Sequence, residues 1–319
     1  MTEAKGPVAV IGCGLVGSSW AIVFARAGHP VRLWDTEAAQ LDRAEARIAD
    51  RTRDMEEAGL LDAEAASGLL GRIGRAGSIE EAADGAVHVQ ESITEDPEAK
   101  RSLFAELDAC AAPGTTLASS SSAIPGSRFM EGLEGRGRAM IAHPANPPHL
   151  IPLVELVPTP WTTPEALAAA HALMESAGQA PIHVRKEVPG FVLSRIQIAL
   201  INESISLVGR GVVSPDDLDK VMHKGLGLRW AFLGPLQVMD LNGPTGFASY
   251  IEHLRPTYEQ VGDDLRVSER WTEEAVEAID AARRAEVPPG EVAERHRWRD
   301  RRLMALLAHL AEAERDIGA

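Results

Sequence analysis

Between Val8 and Asp35 the chain reads VAVIGCGLVGSSWAIVFARAGHPVRLWD. A buried β-run, a glycine turn, a helix and a second strand ending in an acid follow one another, and few folds accept that order. Gly12 permits a tight turn after the strand Val8 to Ile11. Gly14 removes the Cβ that would stand between backbone and a pyrophosphate, and Gly17 lets the helix pack closely on the sheet. The helix from Leu15 to about Ala27 then aims the free amides of its first turn at phosphate. Asp35 falls about 20 residues past the turn, where a carboxylate accepts both hydroxyls of an adenosine ribose and repels a 2′-phosphate, so NAD is favoured over NADP. A glycine-rich turn without a ligand is the competing explanation, and the strand before, the helix after and the terminal acid argue against it. Three glycines and two serines interrupt the stretch too often for a signal peptide or a membrane span.

At 319 residues and 45% hydrophobic content, the chain has material for two cores. A formal net charge of −15 disfavours nucleic acid and anionic membranes as partners, because either needs a basic surface to displace counterions. Cys13 and Cys110 are the only cysteines, which suggests neither a disulfide framework nor a thiolate metal site; no metal is expected, and a reducing cytoplasm is the simplest location.

After Asp35, an Ala-, Glu- and Arg-rich stretch to about Leu70 reads as one or two amphipathic helices with Gly59 as a stop. Short apolar runs then recur at Ala86 to Gln90, Thr115 to Ser119, Ala139 to Ala142, Leu153 to Val157 and Ile182 to Val184. Their alternation with helical patterns predicts an α/β fold, a Rossmann-like doubly wound sheet with helices on both faces. From Pro189 onward only helical patterns are evident, at Phe191 to Val208, Pro215 to His223, Thr272 to Ala285 and Glu291 to Glu314. The expected organisation is therefore a dinucleotide-binding domain over 1–187 and an all-α C-terminal domain over 188–319. Ser214 before Pro215, with Asp216 and Asp217 behind, reads as an N-cap of that second part. The arginines from Arg295 to Arg302, interleaved with acids, read as solvated or intersubunit ion pairs ahead of an anion site.

Ligands of open α/β sheets bind beyond the carboxyl ends of the strands, which directs attention to Ser119 to Ser122, to the segment from His143 to Pro148, and to Leu153 to Val157. His143 suits the proton exchange that accompanies oxidation of a secondary alcohol. A buried Glu155 would hold its ring in one tautomer and favour the imidazolium. On spacing alone, a satisfied loop histidine and an edge-strand charge remain open alternatives. The serine run carries two readings, helix capping and hydroxyl donation to a substrate oxygen.

The Gly-Cys-Gly-Leu-Val-Gly turn, Glu95 and Lys100, the serine run, His143-Pro-Ala-Asn-Pro-Pro148, Ile151 to Val157, Gly190-Phe-Val-Leu193, Val213 to Asp219, Gly225 to Phe232 and Trp298-Arg-Asp300 together resemble the 3-hydroxyacyl-CoA dehydrogenase superfamily, and within it the lambda-crystallin branch. The resemblance covers nearly the whole chain. It implies Ser122, His143 and Glu155 as the catalytic serine, histidine and glutamate. It implies cofactor contacts from Leu15, Val16, Asp35, Glu95 and Lys100, and a helical C-terminal domain that forms a homodimer. One position departs from the family: Ser194 stands where an asparagine is expected, so a side-chain amide is shortened to a hydroxyl, with Asn146 as a possible replacement. Arg229 is a candidate carboxylate clamp, against a surface or intersubunit ion pair. The implied function is NAD-dependent oxidation of the 3-hydroxyl of a small hydroxy acid such as L-gulonate. Two alternatives stand beside it: an L-3-hydroxyacyl-CoA dehydrogenase, and a crystallin-like structural or nucleotide-binding protein with little turnover.

Overall fold

A computed structural model describes residues 5–265 and 272–318. The chain forms two compact units, one running to Arg195 and joined by the C-terminal stretch from His296, the other Ile196–Arg295.

The first unit is built on one eight-stranded sheet. Its strands are β1 (Val8–Ile11), β2 (Val31–Trp34), β3 (Ile73–Arg75), β4 (His88–Glu91), β5 (Thr116–Ser119), β6 (Ala139–Pro144), β7 (Leu153–Pro158) and β8 (Ala180–His183). Their order is β3-β2-β1-β4-β5-β6-β7-β8, so the winding reverses between β1 and β4, the crevice where such sheets bind ligands. Successive residues of β1 feed opposite layers: Val8 and Val10 join a core with the helix Leu15–Arg26, while Ala9 and Ile11 join a second core with Phe104 and Phe129. Period-two alternation with both faces covered explains why these strands read as unbroken apolar runs. In the first core Trp20 stacks on Phe24 with ring centroids 5.3 Å apart, and truncating a ring so buried costs about 3–5 kcal/mol.

β1 through β6 run parallel, but β7 pairs antiparallel with β6, and β8 follows β7. This corrects the expectation that Leu153 to Val157 ends beside the other carboxyl termini. The turn through Asn146 and Pro147 sends the chain straight back along its neighbour, and Glu155 lies within the ladder.

The helices begin where small polar residues accept an amide of the first turn, as at Asp62, Ser78, Asp96, Thr163, Ser214 and Thr272, each cap contributing about 1 kcal/mol. The Ala-rich stretch resolves into the helices Ala38–Glu57 and Ala63–Leu70, with Gly59 at φ +74° between them. Helices Pro235–Asn242 and Phe247–Asp264 were not anticipated, nor was β3, whose central Gly74 and exposed positions hide the strand period. The 188–319 boundary also needs adjustment. The last helix, Val292–Ile317, carries Met304, 1% exposed, into the first core with Leu303 and Leu307 packed against it, an apolar stripe at i, i+3 spacing that returns residues from His296 to the first unit.

Candidate active site

The dinucleotide turn has the clearances its sequence implies. A Cβ on Gly17 would sit 1.9 Å from the Gly12 carbonyl oxygen, and one on Gly12, at φ +88°, would meet the Ser92 backbone at 2.7 Å. A Cβ on Gly14 would have no neighbour closer than Gln40 Nε2 at 3.9 Å, so that face stays open for a ligand. Leu15 is 52% exposed, and the first turn of its helix has neither a side-chain cap nor an acid. Asp35 is fixed beside the turn, its Oδ2 accepting from Cys13 N at 2.8 Å and its Oδ1 from Glu37 N at 3.1 Å. Burial, then the charge of Asp35, pushes the Cys13 thiol up to about 12, so it stays protonated and inert. This cradle fits a dinucleotide.

A buried ionic cluster lies at the ends of β4 and β5. Lys100 Nζ donates to both oxygens of Glu91, at 2.8 and 3.0 Å, and stands 3.6 Å from Glu95 Oε2. Glu91 also accepts from Ser119 Oγ at 2.5 Å and from Ile93 N at 2.6 Å. Burial pushes the Glu91 carboxyl up, and the charge of Lys100 offsets this only in part. Glu95 Oε1 gathers Ser121 Oγ at 2.6 Å, Ser122 N at 2.9 Å and Ala123 N at 3.2 Å. Burial raises its carboxyl, but these bonds with the charge of Lys100 hold it below the ordinary value. The serine loop is thus clamped by a carboxylate that Lys100 supports from beneath, and the exposed Ser122 keeps its hydroxyl free among the described residues.

The antiparallel register sets His143 directly opposite Glu155. His143 Nδ1 donates to Glu155 Oε2 at 2.7 Å, and the other carboxylate oxygen, Oε1, accepts from the amides of Val192 at 2.8 Å and Leu193 at 3.0 Å. Glu155 is fully buried. Burial raises its carboxyl, yet the bonds from His143, Leu193 and Val192 outweigh that and hold it below the ordinary value. An ionised Glu155 accepts only, so Nδ1 carries the proton, and in the neutral ring the lone pair then falls on Nε2. Nε2 makes no hydrogen bond among the described residues and is not sealed away, unlike Nε2 of His29 and His149. The amides reach Glu155 because Gly190 and Phe191 take φ of +74° and +46°. Phe191 packs its ring 5.8 Å from that of His143.

Ser122, His143, Glu155 and Ser194 all lie in the first unit. Ser194 Oγ donates to the Ser122 carbonyl at 3.1 Å, so it holds the serine loop with the proton a substrate contact would use. Asn146 is exposed at a cis peptide with Pro147. Arg229 belongs to the second unit, exposed on the short helix Gly227–Trp230. Glu91, Ser121, Phe191 and the amides of Val192 and Leu193 were missed from sequence. The one usable signal was Glu91, an acid closing an otherwise buried strand. No group of side chains among the described residues could hold a metal ion, and no helix among them is long and apolar enough to cross a membrane.

A dinucleotide cradle on a doubly wound sheet, with a histidine–carboxylate pair at its ligand edge, defines an NAD-dependent dehydrogenase. Residues 7–188 match the 3-hydroxyacyl-CoA dehydrogenase NAD binding domain and residues 190–287 the C-terminal domain of the same family; the chain belongs to that family, in its lambda-crystallin branch. It is 40% identical to the lambda-crystallin homolog of Homo sapiens over 96% of both chains, and 34% identical to an L-carnitine dehydrogenase of Pseudomonas sp over 94% of this chain and 92% of that one. Among solved structures it is similar to (S)-3-hydroxybutyryl-CoA dehydrogenase from Ralstonia eutropha, with TM-score 0.67 and 25% identity over 86% of this chain and 94% of that one.

Proposed function

We propose that the chain oxidises the 3-hydroxyl of a small free hydroxy acid, with L-gulonate and related sugar acids first among candidate substrates. The observation that carries this is the His143–Glu155 pair, with Nδ1 tied to a buried carboxylate and Nε2 left open. His143 Nε2 takes the hydroxyl proton, and Glu155 steadies the imidazolium that results. Ser122 donates its hydroxyl to the substrate oxygen. Gly12, Gly14, Leu15, Val16, Gly17, Asp35 and Glu95 hold NAD, and Lys100 acts through Glu91 and Glu95 as a positioning residue. Bound NAD supplies the hydride acceptor. Asn146 and Ser194 border the substrate, and Arg229 is its candidate carboxylate clamp.

The kinship with L-carnitine dehydrogenase supports a free acid as substrate, because carnitine is itself a 3-hydroxy acid. The protein works as a cytoplasmic homodimer joined through Ile196–Arg295. In that unit Phe232, Leu236 and Leu241 are 68%, 66% and 70% exposed, apolar surface that suits a second copy, and a separate cleft is lined by Leu200, Ile201, Val208 and Met222 together with Asp280 and Arg284.

The test is NADH formation with free 3-hydroxy acids, aldonates and 3-hydroxyacyl-CoA thioesters, each with NAD and with NADP. Turnover of free acids with NAD is expected. A strong preference for thioesters overturns the substrate assignment, and NAD binding without turnover of any of them favours the crystallin-like alternative.

A further inference from the structure

The helix Ala38–Glu57 lays two guanidinium groups, one turn apart, along the start of the dinucleotide helix. Arg47 Nη1 donates to Gly14 O at 3.1 Å and Ser18 Oγ at 2.8 Å, with Cys13 O at 3.4 Å. Arg51 Nη1 repeats the pattern one residue on, donating to Leu15 O at 3.1 Å and Ser19 Oγ at 2.7 Å. Each guanidinium uses a single nitrogen in this clasp, and the remaining N–H donors make no hydrogen bond among the described residues.

The charges are also unanswered. No carboxylate among the described residues lies within the 4.0 Å of an ion pair from either arginine. The acid acting on Arg51 is Asp300, which is itself bonded to Arg299 at 2.7 Å. Burial lowers both guanidinium pKa values, that of Arg51 to about 10, so both remain cationic at neutral pH. The cationic field reaches further: His149, 2% exposed and bonded to the same Ser19, is held neutral with its pKa lowered to about 3 by burial and then by Arg51, Arg26 and Arg299. In a chain of net charge −15, a half-buried group of unpaired cations is a costly arrangement unless an anion completes it. The open amides of Leu15 and Val16 lie in the same turn.

We propose that Arg47 and Arg51 are affinity residues for the pyrophosphate of the dinucleotide, their unused donors and charge completing the recognition that the glycine turn begins. This rests on the NAD assignment and extends it to a feature outside the glycine turn and Asp35. A helix clasp alone would need the donors bonded to carbonyls and serines, and would give the remaining donors and the charge nothing to do.

The test uses direct binding to the full chain without substrate. Arg47→Gln, Arg51→Gln and the double variant keep a side-chain donor for the clasp but remove the charge. NAD and ADP-ribose are titrated by calorimetry at low and moderate salt, and adenosine binding is followed by ligand-observed NMR. The double variant is expected to weaken NAD and ADP-ribose roughly tenfold, to flatten their salt dependence, and to leave adenosine unchanged. Arg47→Lys with Arg51→Lys, which keeps the charge, should recover most of the affinity and guards against a folding defect in the glutamine variants. Unchanged NAD affinity in the double glutamine variant, or an equal loss for adenosine, overturns the proposal while leaving the NAD assignment intact. Failure of the unaltered chain to bind NAD defeats both.

Discussion

The two units bury their apolar residues very differently. In the first, β1 is wholly inaccessible, and charged groups on other strands are enclosed with partners, as Glu91 is with Lys100 and Glu155 with His143. In Ile196–Arg295 the buried hydrophobic residues among those described are Ile205 and Ala275, while Leu228, Phe232, Leu236 and Leu241 stand open. The sheet satisfies its backbone and its cores within one chain. The second unit has well-capped helices at Ser214 and Thr272 but lacks the burial that gives helices most of their stability. A fold can therefore have its local signals in order and still depend on something else for its core.

The sharpest way to break the contrast is Glu155→Gln, which replaces an acceptor with a group able to donate toward Nδ1. The turnover number should fall roughly 10³-fold or more, with thermal midpoint nearly unchanged because the amide oxygen still accepts from Val192 and Leu193. A loss below about tenfold would remove the orienting role. In the second unit, Leu236→Asp together with Phe232→Asp should convert the proposed homodimer to a monomer in sedimentation analysis and abolish the concentration dependence of its melting. An unaltered dimer would mean that the open face is not the interface.

The enclosed histidines of the first unit give it an acid sensitivity. Burial lowers His88 to about 4 and His149 to about 3, so the unfolded chain binds protons that the folded chain refuses as pH falls below about 6.5. Stability is then greatest above that value and lost on acidification, by about 2 kcal/mol from His88 alone at pH 5. Urea midpoints at pH 7 and pH 5 measure the loss, and His88→Gln should shrink it; equal midpoints in the unaltered protein would refute it. The smallest effect is expected at Arg229→Ala, with KM raised several-fold and kcat nearly constant if the guanidinium holds the substrate carboxylate. An unchanged KM would return Arg229 to a surface role.

Legibility followed the same division. The span from β1 to Asp35 could be read because strand period, glycine spacing and a terminal acid are local and mutually dependent. The direction of β7 could not, since a short apolar run looks the same whichever way it is threaded. Gly74 concealed β3, and the glycines and proline between Asn242 and Phe247 disguised two helices as loops. At the site, His143 and Glu155 stood out because a histidine and an acid interrupt apolar runs. The Lys100–Glu91 pair and the bond from Ser194 to Ser122 join residues whose proximity exists only after the sheet has formed.

The cross-strand position of His143 and Glu155 has a consequence for how this chain can change. Sliding β7 by a single residue would turn the glutamate to the far side of the sheet and leave the imidazole without its anchor. Residues 145–152 between the strands share that constraint: Leu150 packs in the first core and His149 bonds Ser19, which leaves the exposed Asn146 as the position freest to change within the same frame.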